Sequence, residues 1–144
     1  MQLKVFIMTK VTPLNEEYIY IDEVLVSQSD LDGKITYVNG AFCDVSGYEY
    51  DDLVGATYGI IRHPDMPNTL FDKLWASIND GQSWTGLIKN LRSNGEYYWN
   101  DLSILPIRDK NDLLTGFISC ARPAARKNIK ENEAIYEKIL SSEI

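Results

Sequence analysis

Side chains that are able to do chemistry are concentrated in one stretch of the chain, from Arg62 to Asn90. This stretch holds the single histidine and two of the three tryptophans, with charged groups between apolar runs. Its candidate residues are Arg62, His63, Asp65, Trp75, Trp84 and Asn90. A stretch of this composition indicates either a demanding packing problem or a bound ligand.

His63 has several candidate roles. A lone histidine cannot form a catalytic triad without a nucleophile, and no serine stands in a recognisable nucleophile elbow. The roles left open are a haem ligand, a hydrogen-bond donor to a cofactor, and a structural residue that caps the following helix. Arg62 carries a fork of donors that suits phosphate or carboxylate. Asp65 is expected either to cap the helix, to pair with Arg62 or to bind a ligand.

The tryptophans and Asn90 point to a flat ligand or to core packing. Trp75 continues the apolar face of a predicted helix, and Trp84 opens a predicted strand. Aromatic rings on the inner face of a small sheet either fill the core or stack on a flat cofactor. Asn90 is the sharper signal, because strands disfavour Asn and a buried amide needs partners for both its oxygen and its nitrogen. A flat heterocycle with donors and acceptors is one such partner.

The composition argues against several classes of function. A net charge of −7 disfavours binding to nucleic acid, which needs many contacts from Lys and Arg to phosphate, and binding to an acidic membrane surface. The chain has no phosphate-binding glycine motif and no acid–base couple, so no enzyme and no catalytic residue are predicted. Cys43 and Cys120 lack any metal-binding spacing, which predicts reduced thiols in a cytoplasmic protein without a metal site. No apolar run approaches the roughly 18 residues of a membrane span, so no membrane insertion is expected.

Local signals predict the elements that position these residues. Asp32-Gly33 between two β-rich runs, and Asn94-Gly95 further on, predict tight hairpins. Strands are predicted over 25–31, 34–39, 84–92, 96–106 and 113–121. Helices are predicted over 41–46, 49–54 and 67–80, the last from its amphipathic period. Pro13 and the residues after it predict a helical turn or an arm that leads into the domain.

The order of these elements predicts an α+β fold. Two strands, three helices and three further strands give a five-stranded antiparallel sheet with short helices on one face. The chain is predicted to divide into an N-terminal arm or cap (1–24), a central domain (25–123) and an amphipathic C-terminal signalling helix (124–144). The helix is expected to contact a partner or a following module.

Several of these segments together resemble a PAS sensory domain. They are residues 35–39, 41–42, 46–48, 53–55 and the Gly-Glu-Tyr-Tyr-Trp run at 95–99. Two motifs are narrower: Arg-His-Pro-Asp-Met-Pro at 62–67 and Trp-Thr-Gly-Leu-Ile-Lys-Asn at 84–90. These motifs resemble the flavin-binding PAS domains of bacterial aerotaxis receptors, over about residues 11–122. The chain is also similar, more loosely, to the flavin PAS domain of the redox regulator of nitrogen fixation.

The resemblance implies FAD held non-covalently between the sheet and the helices, without catalytic turnover. Trp75 and Asn90 match positions that contact the flavin, and Arg62, His63, Asp65 and Trp84 match positions implicated in binding or signalling. Ser27 matches a serine close to the flavin in the nitrogen regulator, and Asn39 matches the common PAS asparagine at a strand-to-helix joint. Tyr58 stands where the nitrogen regulator has an acidic residue. The cysteine motif through which light-sensing PAS domains bond to flavin is absent from this chain.

The expected function is therefore an FAD-binding sensor of redox or oxygen status. Its expected partner is a chemoreceptor-type signalling domain, in cis or in trans, and the arm and C-terminal helix are expected to support a homodimer. The expected location is cytoplasmic, as a separate protein or as the cytosolic part of a membrane-associated receptor. Two alternatives stay open: a haem-binding gas sensor with His63 as axial ligand, and a cofactor-free dimerisation module.

Overall fold

The computed structural model describes residues 10–143. Its strands are β1 (Leu25–Ser29), β2 (Ile35–Val38), β3 (Trp84–Leu91), β4 (Tyr97–Arg108) and β5 (Leu114–Pro123). Its helices are α1 (Gly40–Ser46), α2 (Tyr50–Leu53), α3 (Asn68–Asn79) and α4 (Arg126–Ser142), with a 3-10 turn at Tyr58–Ile61. The strands form one antiparallel sheet in the order β2-β1-β5-β4-β3, which confirms the predicted α+β fold. The 3-10 turn is an addition to the predicted elements.

The β1–β2 hairpin and its exit into α1 are set by local chemistry. Gly33 adopts a φ of +81° in the turn, a conformation that glycine reaches without a steric penalty. Asn39 then caps α1, because its Oδ1 accepts hydrogen bonds from the backbone N–H of Phe42 at 3.0 Å and of Val26 at 3.1 Å. Asn39 therefore fixes the joint between the sheet and the first helix.

The two faces of the sheet have different coverings. On the inner face, Leu74 and Ile78 of α3 pack against Ile104 and Phe117. On the outer face, Tyr136 of α4 packs in a stacked arrangement against Trp99, with 6.4 Å between ring centroids, and donates a hydrogen bond to the carbonyl of Leu87. None of the helices within residues 10–143 is long and apolar enough to cross a bilayer.

Residues 10–24, called the arm below, are extended rather than helical. The backbone N–H of Tyr18 donates to the carbonyl of Tyr97, and the N–H of Tyr97 donates to the carbonyl of Glu16. Glu17 also pairs with Arg126 at the start of α4. No helical turn follows Pro13, since the backbone groups of this part of the arm bond to β4 instead. The part of the predicted arm at 1–9 lies outside the described residues, as does residue 144 of the predicted C-terminal helix.

The end of α4 returns to the start of α3. The carboxylate of Glu143 accepts hydrogen bonds from the backbone N–H of Asn68 at 2.6 and 3.0 Å and from that of Thr69 at 3.4 Å. The first N–H groups of a helix lack partners inside the helix and carry a partial positive charge, so this carboxylate caps α3. Asp65, which the sequence offered as a cap, does not take this position.

Candidate functional site

A cavity of about 450 Å³ lies between the inner face of the sheet and the helices α1 and α3. Its walls are mostly apolar, with side chains such as Leu25, Phe71, Leu102 and Phe117. This volume falls within the range of roughly 300–1,000 Å³ that is typical of small-molecule sites. The polar groups that interrupt the apolar lining determine which ligands it can hold.

Two buried amides project into the cavity. Asn90 on β3 is 7% exposed and Asn100 on β4 is 3% exposed. Because Asn90 pairs with Tyr98 and Ile88 pairs with Asn100, the two asparagines are diagonal neighbours on one face of the sheet. The Oδ1 of Asn100 accepts a hydrogen bond from the hydroxyl of Tyr20 at 2.5 Å. The side chain of Asn90 makes no hydrogen bond to the residues that the structure describes.

Trp75 lies at the end of the cavity that the β1–β2 turn bounds. Its ring meets Phe117 edge-on, with 6.1 Å between centroids and 81° between planes. A Cβ atom placed on Gly33 would come within 2.7 Å of Trp75 Cη2. Glycine in this turn is therefore needed both for the backbone conformation and for the close approach of the indole.

Three hydroxyl groups, from Ser27, Tyr58 and Ser119, form a cluster at another wall. Tyr58 and Ser119 line the cavity. Ser27 lies behind them, with its Oγ 2.7 Å from the Tyr58 hydroxyl and in a short hydrogen bond to Ser119. Burial raises the pKa of Tyr58, although its serine neighbours act in the opposite direction. The cluster therefore presents neutral hydroxyls to the cavity, whereas an acidic side chain at the position of Tyr58 would present a negative charge.

Arg62 lines the cavity from the loop before α3. Its guanidinium lies 4.0 Å from the centroid of the Phe71 ring and donates a hydrogen bond to the Oδ1 of Asn68. Asp65 pairs with Lys89 at 2.9 Å, so the Arg62–Asp65 ion pair considered from the sequence does not form among the described residues. Arg62 is thus held by an aromatic ring and an amide, without a carboxylate partner in residues 10–143.

His63 belongs to a second, smaller pocket of about 230 Å³, called the His63 pocket below. Its lining residues are Pro13, Leu14, Asn15, His63, Pro64, Asp65, Lys89 and Tyr97. His63 is 4% exposed, and its Nδ1 accepts a hydrogen bond from the backbone N–H of Asp65 at 3.0 Å. Burial and the positive charge of Lys89 lower the pKa of His63, while Asp65 acts to raise it. The lowered pKa favours the neutral imidazole.

Comparison with known proteins places this architecture in a family. The profile of a family described as PAS fold matches residues 35–121. The chain belongs to the PAS family of sensory domains. Over 82% of its own length, this PAS domain is 34% identical to the aerotaxis receptor of Escherichia coli (strain K12). Over 83% of its own length, the domain is 23% identical to the nitrogen fixation regulatory protein of Klebsiella pneumoniae.

The PAS domain is much shorter than these relatives. It spans 23% of the aerotaxis receptor and 25% of the nitrogen fixation regulatory protein. Solved structures agree on the fold. A light-oxygen-voltage domain studied with a flavin analogue superposes with a TM-score of 0.70 at 19% identity, covering 81% of this chain and 88% of that domain. A PAS domain from Colwellia psychrerythraea gives a TM-score of 0.63 at 22% identity, covering 70% of this chain and 86% of that domain.

The nine candidate residues of the PAS domain occupy different places. Four of them line the cavity: Tyr58, Arg62, Trp75 and Asn90. Ser27 does not line the cavity but hydrogen-bonds to Tyr58, which does. His63 and Asp65 line the His63 pocket. Asn39 caps α1, and Trp84 packs over Gly86, where a Cβ atom would come within 2.5 Å of the indole. The structure thus brings together only part of the set.

Sequence reasoning missed Asn100 and Ser119, which line the cavity, and Tyr20, which bonds to Asn100. Asn100 carried the same signal as Asn90, an amide inside a predicted strand, and could have been found by the same argument. Ser119 carried no distinguishing signal. Tyr20 comes from the arm and reaches Asn100 across 80 positions of sequence, a contact that no local pattern encodes.

Proposed function

We propose that this PAS domain binds FAD non-covalently in the cavity and reports redox or oxygen status to a signalling partner. The observation that carries the proposal is the pair of buried amides, Asn90 and Asn100, inside an otherwise apolar cavity. Buried amides need hydrogen-bond partners, and the alternating carbonyl and N–H groups at one edge of an isoalloxazine ring offer them. The remaining apolar walls suit the hydrocarbon end of the same ring.

The other cavity residues fit the same ligand. Trp75 offers an aromatic surface, and Arg62 offers a cation able to bind a phosphate oxygen. The hydroxyls of Tyr58 and Ser119 donate or accept hydrogen bonds without adding charge. A bound flavin would supply a reversible redox change. Asn90, Asn100 and Tyr58 would then hold the ring and respond to its changed donors and acceptors by shifting their hydrogen bonds.

We propose the arm and α4 as the output elements of the domain. α4 covers the outer face of β3 and β4, and the arm reaches the cavity wall through Tyr20. By analogy with the aerotaxis receptor, the proposed partner is a chemoreceptor-type signalling domain in cis or in trans, with a cytoplasmic location. The exposed apolar side chains of Ile19, Ile21 and Ile135 support a homodimer through the arm and α4.

The absorption spectrum of the purified protein, before and after addition of dithionite, tests this function. FAD binding predicts a yellow protein whose visible bands bleach on reduction, and extraction of the ligand should release FAD rather than FMN. A sharp Soret band would instead establish the haem alternative, for which His63 outside the cavity offers no support. A colourless protein that takes up no added FAD would leave the cofactor-free dimerisation module.

A further inference from the structure

Tyr20 is an arm residue whose side chain points into the domain. It is 6% exposed, whereas its neighbours Ile19 and Ile21 are 68% and 71% exposed. Its ring meets Tyr98 edge-on, with 6.3 Å between centroids and 79° between planes. Its hydroxyl donates to the Oδ1 of Asn100. The arm is therefore connected to a side chain that lines the cavity.

The protonation of Tyr20 decides how Asn100 is oriented. Burial, together with the nearby charge of Asp101, raises the pKa of Tyr20 above its usual value, so the phenol keeps its proton. Asn100 is the hydrogen-bond partner of this hydroxyl within residues 10–143. The phenol proton of Tyr20 has a hydrogen-bond acceptor when Oδ1 of Asn100 faces it. Both hydrogens of Asn100 Nδ2 then remain available on the other side of the amide.

We infer that Tyr20 is a positioning residue: it holds Asn100 so that the amide presents N–H donors to the ligand, and it thereby couples the ligand to the arm. The inference rests on the proposed function for the identity of the ligand. An acceptor on the ligand favours the same amide orientation that Tyr20 favours. By linkage, a ligand that stabilises this orientation also stabilises the docked arm, and a ligand that reverses it weakens the docking.

The coupling has a route onward from the arm. Glu16 and Tyr18 bond to the start of β4, and Glu17 pairs with Arg126 at the start of α4. A change in the docking of Tyr20 therefore alters a segment that contacts both the sheet and the proposed output helix. Tyr20 lies outside residues 35–121, so this connection is added to the PAS core from the flanking chain.

The test compares Tyr20→Phe with Tyr18→Phe, since each removes one phenol oxygen from the arm. The Tyr18 ring lies 3.9 Å from the guanidinium of Arg92, and its hydroxyl makes no hydrogen bond within residues 10–143. We expect Tyr20→Phe to weaken FAD binding about five- to tenfold in a fluorescence titration and to shift the visible flavin band. Tyr18→Phe should do neither. Wild-type affinity and band position in Tyr20→Phe, or equal losses in both variants, would overturn the inference.

A second measurement needs no ligand. Hydrogen exchange of the arm amides in the flavin-free protein should accelerate in Tyr20→Phe and in Asn100→Leu, and the double variant should release the arm no more than either single variant. Additive effects would show that Tyr20 and Asn100 act independently, and would overturn the inference. If the protein binds no flavin, the proposed function fails, while the exchange data still decide whether Tyr20 and Asn100 fasten the arm together.

Discussion

The cavity and the His63 pocket are adjacent, yet they are built from different chemistry. The cavity has apolar walls, two buried amides and neutral hydroxyls, with Arg62 at one side. The His63 pocket is covered by Pro13 and Leu14 of the arm and contains the Lys89–Asp65 ion pair. The first pocket suits a flat, uncharged ring with Arg62 at one side for an anionic group, whereas the second lies between the arm, the loop before α3 and the outer side of β3.

The backbone explains why one short motif serves both pockets. Arg62 is extended and forms an isolated antiparallel bridge with Asn90, so successive side chains point in opposite directions. Arg62 and Asn90 face the cavity, while His63 and Lys89 face the His63 pocket. Residues that adjoin in sequence therefore divide into a set that lines the cavity and a set that lines the His63 pocket. Mutations at neighbouring positions should have separable effects.

Removing a cavity side chain should produce the largest effect. Asn90→Ala deletes a buried amide that the proposed flavin would satisfy, and Trp75→Ala deletes an aromatic wall, so each should weaken FAD binding about 10- to 100-fold while the domain stays folded. Fluorescence titration measures the affinity, and circular dichroism checks the fold. Lys89→Met is the matched control, because Lys89 is the neighbour of Asn90 that faces the other way. Undiminished flavin binding in both cavity variants would mean that the ligand lies elsewhere.

The contribution of Arg62 to binding should depend on whether the ligand carries phosphates. If its guanidinium binds a phosphate oxygen, Arg62→Ala should weaken FAD binding about fivefold and leave riboflavin binding nearly unchanged. Titrating the variant and the wild type with both ligands measures the difference. Equal losses for FAD and riboflavin would assign Arg62 to the cavity wall through Phe71 rather than to the phosphates.

The sequence predicted those parts of this arrangement that depend on short-range signals. The two hairpins follow from Asp32-Gly33 and Asn94-Gly95, and α3 was predicted over 67–80 against Asn68–Asn79 in the structure. The helical turn after Pro13 was one of two alternatives and does not form, because the backbone partners of that segment lie on β4, far along the chain. The division of residues 62–65 between two pockets depends on the bridge to Asn90, which no local period reveals.

His63 should make the stability of the domain depend on pH. Its pKa is lowered in the folded state, so the unfolded chain binds more protons, and stability should fall as the pH drops below the unfolded value of about 6.5. One such group contributes at most about 1.4 kcal/mol for each pH unit. His63→Asn keeps an acceptor for the N–H of Asp65 but cannot titrate, and it should flatten this part of the profile. Denaturant unfolding of the wild type and of His63→Asn at pH 7.5 and 5.5 measures the free energy of unfolding. An equal loss of stability between the two pH values in both proteins would refute a lowered pKa of His63.

Asp65 should produce the smallest effect, and it tests whether the two pockets are independent. Its side chain is 61% exposed but that of Lys89 is only 11% exposed, so losing the ion pair in Asp65→Asn should cost about 1 kcal/mol of stability. The same change removes the charge that raises the pKa of His63, which should therefore fall further, as an NMR titration of the imidazole would show. FAD affinity should not change, because the Lys89 and Asn90 side chains leave β3 on opposite faces. A changed affinity would mean that the ion pair acts through β3 on the amide of Asn90, and the two pockets would then be one coupled site.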